Sequence, residues 1–153
     1  MIANDKLYLC TDETVTFDSN YRYRVDPPIY EIKTKKGNHL TCITNSESFA
    51  TSIEFDHQLL IRLFGQELSC KSGIDKDFKC AVFYGIYDVN KINGIICYII
   101  QNYLICQSCD KPEVILYKNK KTLKHKCKAC GEKNVVKEEL QTTNIYEIIL
   151  KNL

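Results

Sequence analysis

Two Cys-x-x-Cys pairs in the last third of the chain have the residue type and spacing of a metal site. Cys106 and Cys109 form the first pair, Cys127 and Cys130 the second, with seventeen residues between them. This is the spacing of a four-cysteine zinc ribbon, in which each pair supplies two sulfurs and the intervening segment returns as a hairpin. No fifth ligand stands out, so we predict a closed, structural Zn²⁺ site. The alternatives are a pair of disulfides or a chance arrangement.

The remaining composition argues against disulfides. The 153 residues include nine cysteines, an odd number, and the first residues lack the apolar run of a secretory signal peptide. The apolar stretch at 95–105 is too short to span a bilayer and is interrupted by Gln101 and Asn102. We therefore expect a reducing, cytoplasmic location without membrane attachment, where single cysteines are small buried apolar residues.

A second candidate for chemistry is the run Tyr-Arg-Tyr-Arg at positions 21–24, which closely precedes a Pro-Pro pair. Proline disfavours helix in the residue before it, so an extended, exposed segment is expected. Guanidinium groups can bind phosphate through two hydrogen bonds, and aromatic rings can stack on bases. The alternative is a solvated strand with both tyrosines packed inward and both arginines in water. Taken alone, the four residues favour that alternative: Tyr21, Arg22, Tyr23 and Arg24.

The region around the cysteine pairs is strongly basic. Nine lysines lie between positions 111 and 137, against only Asp110, Glu113 and Glu132. Two interpretations stay open. The lysines either contact RNA phosphates or keep a small module with little core in solution. The formal net charge of the whole chain, +2, is too small to indicate a nucleic-acid partner by itself.

Local patterns predict the elements that position these residues. A Gly-Asn turn signal with Lys35 and Lys36 indicates a hairpin, and Asp56 is placed to cap a helix. Gly65 would lie inside that helix at a cost of about 1 kcal/mol relative to alanine, so we expect it to serve close packing. The predicted strands are 29–35, 40–45, 71–77, 78–84 and a closing strand at 145–150, and the predicted helices are 46–53, 56–68 and 88–103.

These elements indicate an α+β protein. A flexible N-terminal arm over residues 1–20, with a short extended piece at 7–9, would precede a small mixed α/β domain over residues 21–104, with an antiparallel sheet and three helices. The four-cysteine zinc ribbon and the closing strand would follow over residues 105–153.

The motifs together resemble a known family. Tyr-Arg-Tyr-Arg before Pro-Pro, Lys-Gly-Asn at 36–38, Leu-Phe-Gly-Gln-Glu-Leu at 63–68, the two cysteine pairs and Ile-Leu-Lys-Asn at 149–152 occur in this order. The chain is similar over residues 21–152 to the N-terminal domain of eukaryotic translation initiation factor 5. The β subunit of initiation factor 2 shares that fold and ribbon, but the Tyr-Arg-Tyr, Phe-Gly and Ile-Leu-Lys-Asn motifs look more like factor 5.

The resemblance implies an activity. Factor 5 is the GTPase-activating protein of initiation factor 2 carrying initiator methionyl-tRNA on the small ribosomal subunit. Its essential arginine matches Arg22, which would act as an arginine finger in trans. Such a finger accelerates GTP hydrolysis by about 10³ to 10⁵. One of two family lysines matches Arg62, and the other has no counterpart unless Lys35 or Lys36 substitutes.

The implied protein is not itself an enzyme. It carries no G-x-x-x-x-G-K-[ST] loop, so GTP would be bound by the partner. The implied partners are the γ subunit of initiation factor 2, the small ribosomal subunit and the initiator tRNA, with the chain as a monomer. Tyr21, Tyr23, Arg24, Lys35, Lys36 and Arg62 are the expected partner or RNA contacts.

Three departures from the family keep other functions open. Asp26 is an apparent insertion after the arginine motif, one lysine is missing, and the sequence ends where the family continues into a helical-repeat domain. The alternatives are a non-activating binding module or competitor in the preinitiation complex, and a β-subunit-like component of initiation factor 2. The latter is disfavoured because residues 1–20 show no amphipathic helix. A zinc-ribbon transcription factor would require the first hundred residues to match by chance.

Overall fold

The structure, a computed structural model, describes residues 2–3, 5–12, 18 and 20–153, which form three antiparallel sheets and four α-helices. They divide into two compact units: Asp26–Ile95, and Met1–Val25 with Ile96–Leu153. This division differs from the predicted domain at 21–104, because residues 21–25 and the last part of the third helix belong with the ribbon. No helix among the described residues is long and apolar enough to cross a bilayer.

The strands are β1 (Ile2–Ala3), β2 (Lys6–Tyr8), β3 (Arg24–Val25), β4 (Tyr30–Lys35), β5 (Asn38–Ile43), β6 (Ser72–Asp75), β7 (Cys80–Tyr84), β8 (Val114–Asn119), β9 (Thr122–Cys127) and β10 (Lys133–Val135). The α-helices are α1 (Ser46–Ser52), α2 (His57–Glu67), α3 (Val89–Ile99) and α4 (Asn144–Asn152). The mixed antiparallel architecture with a four-cysteine ribbon confirms the predicted fold class.

The Asp26–Ile95 unit is built on a four-stranded sheet in the order β4-β5-β7-β6. The first hairpin closes through Lys36 and Gly37, both with positive φ (49° and 77°), because a two-residue turn of this kind matches the twist of the strands. Asp56 caps α2 as predicted, and its Oδ1 accepts a hydrogen bond from the Leu59 amide at 2.6 Å.

The predicted close packing at Gly65 is confirmed. A Cβ built on Gly65 would lie 2.1 Å from Oγ of Ser72 and 2.8 Å from its Cβ, distances that no real side chain tolerates. Glycine therefore lets α2 approach β6 closely. Helix α2 also contacts the neighbouring strand β7, through an edge-to-face pair of Phe64 and Phe83 whose ring centroids are 5.7 Å apart.

The start of the chain departs from the predicted flexible arm. β2 pairs with β3 in the register Leu7–Val25 and Tyr8–Arg24, and Leu7 through Cys10 are buried. The extended piece expected at 7–9 is therefore present as β2, but it is not part of a flexible arm. Its pairing with β3 joins residues 16 to 18 positions apart, and no local pattern signalled that contact. The rest of the predicted arm, at 1, 4, 13–17 and 19, lies outside the described residues.

The predicted third helix is confirmed in position, but its last turn is a π-helix and not an α-helix. α3 ends at Ile99, and a π-helical turn continues it over Ile100–Leu104, with the extended residue Ile105 between this turn and Cys106. Ile100, Tyr103 and Leu104 of this turn are buried in the unit that contains the ribbon. Wider turns of this kind shift the side chains around the helix axis, which redirects the apolar face as the chain enters the first cysteine pair.

The predicted closing strand at 145–150 is wrong, because this segment is the helix α4. Thr143 caps it, with Oγ1 accepting a hydrogen bond from the Tyr146 amide at 3.2 Å. The buried positions Ile145, Tyr146 and Ile149 follow the helical period rather than strand alternation. The Tyr146 hydroxyl accepts a hydrogen bond from the Leu123 amide at 3.0 Å, which attaches α4 to β9.

Candidate metal centre and arginine segment

The two cysteine pairs form the same backbone turn. In the first, the Asp110 amide donates to the Cys106 carbonyl at 2.9 Å, and in the second the Gly131 amide donates to the Cys127 carbonyl at 3.0 Å. The fourth residue after each first cysteine has a positive φ, 55° at Asp110 and 77° at Gly131. The hairpin β8–β9 runs from one turn to the other in continuous register, from Val114–Cys127 to Asn119–Thr122. Each turn therefore presents two sulfurs to the same point.

The four sulfurs are placed as a tetrahedral ion requires. All Sγ atoms of Cys106, Cys109, Cys127 and Cys130 lie within 4.8 Å of one another, and the Cys106–Cys130 and Cys109–Cys127 pairs are 3.8 and 3.7 Å apart. A tetrahedron with metal–sulfur bonds of about 2.3 Å separates its sulfurs by about 3.8 Å. A disulfide would need about 2.05 Å, and all four cysteines are free. The site is a possible metal centre.

The thiol pKa values fit a site that needs a cation. Burial alone would raise the pKa of Cys106, but hydrogen bonds from the Ser108 and Cys109 amides and from neighbouring thiols lower it to about 7. At Cys109 the backbone hydrogen bond lowers the pKa, but burial and the three other thiols outweigh it and raise the value to about 12. Four thiolates this close repel one another, so a bound cation is what allows all of them to ionise.

His125 lies beside the second pair but is not grouped with these ligands in the part of the chain that the structure describes. Only 3% of it is exposed, and its Nε2 has no hydrogen-bond partner among those residues. Burial lowers the pKa of the imidazole, which keeps it neutral at physiological pH.

The arginine segment, residues 21–24, is held in place by contacts of its two tyrosines. The Tyr21 hydroxyl donates to the Leu9 carbonyl at 3.0 Å, and the Tyr21 ring stacks on Tyr8 with centroids 6.1 Å apart. The Tyr23 hydroxyl donates to Oε1 of Glu113 at 2.5 Å. Burial raises the pKa of Tyr21 to about 12, and the hydrogen bond to Glu113 raises that of Tyr23, so both hydroxyls stay protonated as donors.

The arginines between these anchors reach solvent. Arg22 and Arg24 are both exposed, and the Arg22 guanidinium carbon lies 5.5 Å from the centre of the Tyr23 ring. This is the arrangement of the solvated-strand alternative, and it also leaves both guanidinium groups accessible to a partner. Sequence reasoning missed the anchoring carboxylate of Glu113, because it lies 90 positions from Tyr23 and no local signal links them.

The remaining predicted contact residues belong to the Asp26–Ile95 unit. Lys35 is bound to two carboxylates, 2.5 Å from Asp75 and 2.6 Å from Asp77, and hydrogen bonds to both raise its pKa. Lys36 is exposed in the hairpin turn. Arg62 is exposed on α2, at a groove between this helix and β6.

Comparison with known proteins identifies the family. A family described as a domain found in initiation factors 2B and 5 matches residues 12–133, which is most of the chain. The chain belongs to this family. It is 31% identical to eukaryotic translation initiation factor 5 of Caenorhabditis elegans over 114 residues, which cover 74% of this chain and 26% of that protein. The resemblance to initiation factor 5 inferred from the motifs is thereby confirmed.

Further relatives carry the same name. Identity is 31% over 137 residues with the probable eukaryotic translation initiation factor 5 of Schizosaccharomyces pombe, covering 88% of this chain and 34% of the relative. It is 32% over 124 residues with eukaryotic translation initiation factor 5 of Drosophila melanogaster, covering 78% and 26%. The chain matches about a quarter to a third of the length of these curated relatives.

Proposed function

We propose that the chain is a cytoplasmic translation initiation factor that stimulates GTP hydrolysis by initiation factor 2 carrying initiator methionyl-tRNA on the small ribosomal subunit. The observation that carries the proposal is the placement of Arg22. It is exposed between two half-buried tyrosines whose hydroxyl groups are both hydrogen-bonded, within a domain whose relatives are named initiation factor 5.

The chemistry of Arg22 suits this role. The guanidinium of Arg22 would enter the nucleotide site of the γ subunit and neutralise negative charge that develops on the transferred phosphoryl group. Tyr21 and Tyr23 restrict the backbone on either side, so less conformational entropy is lost when the arginine docks. Arg24 and Lys36 are both exposed, and each would contact phosphate groups of the partner or of ribosomal RNA.

Zn²⁺ is the ion that four cysteine thiolates in this arrangement favour, and its role would be structural because the protein supplies all four ligands. Cys106 and Cys127 are fully buried, whereas Cys130 is exposed. The ion would fix the two turns that flank the hairpin β8–β9.

The test is single-turnover GTP hydrolysis by initiation factor 2 with GTP and initiator methionyl-tRNA, bound to small ribosomal subunits. The arms are no addition, the wild-type chain, Arg22→Ala, Arg22→Lys and Arg24→Ala. We expect Arg22→Ala to lose about 10³-fold or more of the stimulation. Arg22→Lys should recover only a small part of it, and Arg24→Ala, which removes a proposed binding contact, should lose less of it than Arg22→Ala does. Equal stimulation by wild type and Arg22→Ala would refute the role of Arg22.

A specific observation favours a second candidate, a module that binds the preinitiation complex without activating it. One lysine that is functional in the family has no counterpart in this chain unless Lys35 or Lys36 substitutes for it. Lys35 is already held by ion pairs with Asp75 and Asp77. If Lys36 alone does not restore that contact, the chain would occupy the site of initiation factor 5 without stimulating hydrolysis. In the same assay it would then inhibit a complete initiation factor 5, and the inhibition would not depend on Arg22.

A further inference from the structure

The side chain of Arg22 lies over the ring of the next residue. Its guanidinium carbon is 5.5 Å from the centre of the Tyr23 ring, a distance at which the ring face attracts the positive charge. This attraction needs no hydrogen bond, so the N–H groups of the guanidinium remain available to phosphate oxygens. The orientation of the Tyr23 ring therefore influences where those donors point.

The Tyr23 side chain is held at both ends. Its backbone carbonyl accepts a hydrogen bond from the Leu9 amide at 2.9 Å, which fixes where the side chain begins. At the far end of the ring, the hydroxyl donates to Oε1 of Glu113 at 2.5 Å. The ring of Tyr21 packs against it, with centroids 5.8 Å apart and an interplanar angle of 69°. Because the backbone bond alone leaves both side-chain torsions of Tyr23 free, the bond to Glu113 is what restricts them.

Glu113 is itself fixed by the cysteine ribbon. Its backbone carbonyl accepts a hydrogen bond from the Lys128 amide at 2.7 Å, and the next residue, Val114, begins β8 and pairs with Cys127. A hydroxyl that donates to a carboxylate forms a short, strong hydrogen bond, as the 2.5 Å distance to Tyr23 indicates. Glu113 belongs to the same compact unit as Arg22.

We propose that Glu113 is a positioning residue for Arg22: its carboxylate fixes the Tyr23 ring, and the ring holds the guanidinium in the orientation in which it meets the partner. The inference rests on the proposed function, because it concerns the arginine that would enter the partner's nucleotide site. Glu113 would not touch the nucleotide. Its effect would be on the geometry of the arginine finger, and therefore on the rate of hydrolysis in the bound complex.

The alternative is that the bond between Tyr23 and Glu113 only stabilises this unit. Its loss would then lower the folded fraction or the metal content, and the Arg22 side chain of the molecules that remain folded would be unchanged. Circular dichroism and metal content measured by mass spectrometry establish the folded fraction of each variant. The two roles then differ in what happens to Arg22 at an equal folded fraction.

Three variants separate the hydroxyl contact from the ring. Tyr23→Phe keeps the ring and removes only the hydroxyl, and Glu113→Ala removes the acceptor. Glu113→Gln keeps an acceptor oxygen at the same reach, so it should rescue the contact. Tyr117→Phe is the matched control, because it removes a tyrosine hydroxyl from β8 in the same unit.

The first measurement uses the full chain alone, in solution nuclear magnetic resonance. An aromatic ring shields protons above its face, so the Cδ protons of Arg22 should resonate upfield of those of Arg24, the other exposed arginine of the segment. Tyr23→Phe and Glu113→Ala should move the Arg22 signals towards those of Arg24. Glu113→Gln and Tyr117→Phe should leave them in place. Unchanged Arg22 signals in both Tyr23→Phe and Glu113→Ala would refute the positioning role.

The second measurement is single-turnover GTP hydrolysis at increasing concentrations of the chain. Tyr23→Phe and Glu113→Ala should each lower the maximal rate about tenfold, because misplacement of a reacting group by a fraction of an ångström slows the chemical step. The concentration that gives half-maximal stimulation should stay the same. The double variant Tyr23→Phe/Glu113→Ala should be no slower than either single variant, because both changes break one bond. Glu113→Gln should recover most of the rate.

The outcomes distinguish this inference from the proposed function. A loss confined to the half-maximal concentration, or losses that multiply in the double variant, would contradict a role of Glu113 in positioning Arg22. If the wild-type chain does not stimulate hydrolysis at all, the proposed function fails. The resonance measurement, which needs no partner, still decides in that case whether Glu113 orients Arg22.

Discussion

Gly65 offers the sharpest test of how α2 packs on its sheet. Replacing it by alanine would place a methyl group 2.1 Å from Oγ of Ser72 and 2.8 Å from its Cβ, with the Cys70 carbonyl oxygen at 3.3 Å. Rotation of the Ser72 side chain would relieve the first contact, but it would break the hydrogen bond from Ser72 Oγ to the Ile61 carbonyl at 3.2 Å. The contact with the Cβ remains, because that atom is fixed to the backbone of β6.

The balance of effects favours destabilisation. Alanine in a helix interior is more favourable than glycine by about 1 kcal/mol. Overpacking a tight interface costs about 1–3 kcal/mol, and loss of the serine hydrogen bond costs about 1 kcal/mol. We therefore expect Gly65→Ala to lower the free energy of unfolding by about 1–3 kcal/mol, or the melting temperature by about 3–10 °C for a chain of this size.

The assay is urea unfolding followed by far-ultraviolet circular dichroism, with Zn²⁺ present throughout. Gly94→Ala is the matched control, because a Cβ at Gly94 in α3 would meet nothing within 4 Å. It should raise the free energy of unfolding by up to about 1 kcal/mol. The double variant Gly65→Ala/Ser72→Gly should lose less stability than the sum of its single variants, because removing the serine side chain removes two of the contacts. If Gly65→Ala is as stable as Gly94→Ala, the close approach of α2 and β6 is refuted.

Three further outcomes follow from the contacts and pKa shifts. Burial raises the pKa of Tyr21 in the folded chain to about 12, against an ordinary value of 10.0. The contribution of its protonated hydroxyl group to the free energy of unfolding is therefore complete below pH 10 and is lost as the pH rises towards 12. Tyr21→Phe should flatten the stability profile there and remove the highest step of the tyrosinate absorbance titration. The pKa of Asp75 is below its ordinary value of 3.8, chiefly because Lys35 donates a hydrogen bond to its carboxylate. The stability that this ion pair contributes is therefore present above pH 3.8 and is lost as the pH falls. Lys35→Met should therefore make acid unfolding less dependent on pH, as circular dichroism would measure, and an unchanged acid transition would contradict the ion pair. Cys109→Ser should lower the bound metal, measured by mass spectrometry, from about one Zn²⁺ per chain towards zero, whereas Cys70→Ser should retain it.

Elements with local signals were predictable from the sequence. The Lys36-Gly37 turn and the Asp56 cap lie within the segments that they organise, and the cysteine spacing carries its own geometry. α4 was mistaken for a strand because Ile145 and Ile149 belong to a β-branched, apolar run, and the cap at Thr143 was not weighed against it. Pairing of β2 with β3 depends on residues far apart in the chain, and propensity does not specify such contacts.

The same limit explains why the sequence did not connect the cysteine site with the arginine segment, although both belong to one unit. Glu113 is the link. Its carbonyl accepts a hydrogen bond from the Lys128 amide at 2.7 Å, and Lys128 directly follows Cys127. Its carboxylate accepts the hydroxyl of Tyr23. Glu113 therefore joins the second cysteine turn to the residue beside Arg22. An ion that fixes the two cysteine turns would also fix Glu113, so a structural metal in this chain would act on the orientation of Arg22 without touching any nucleotide.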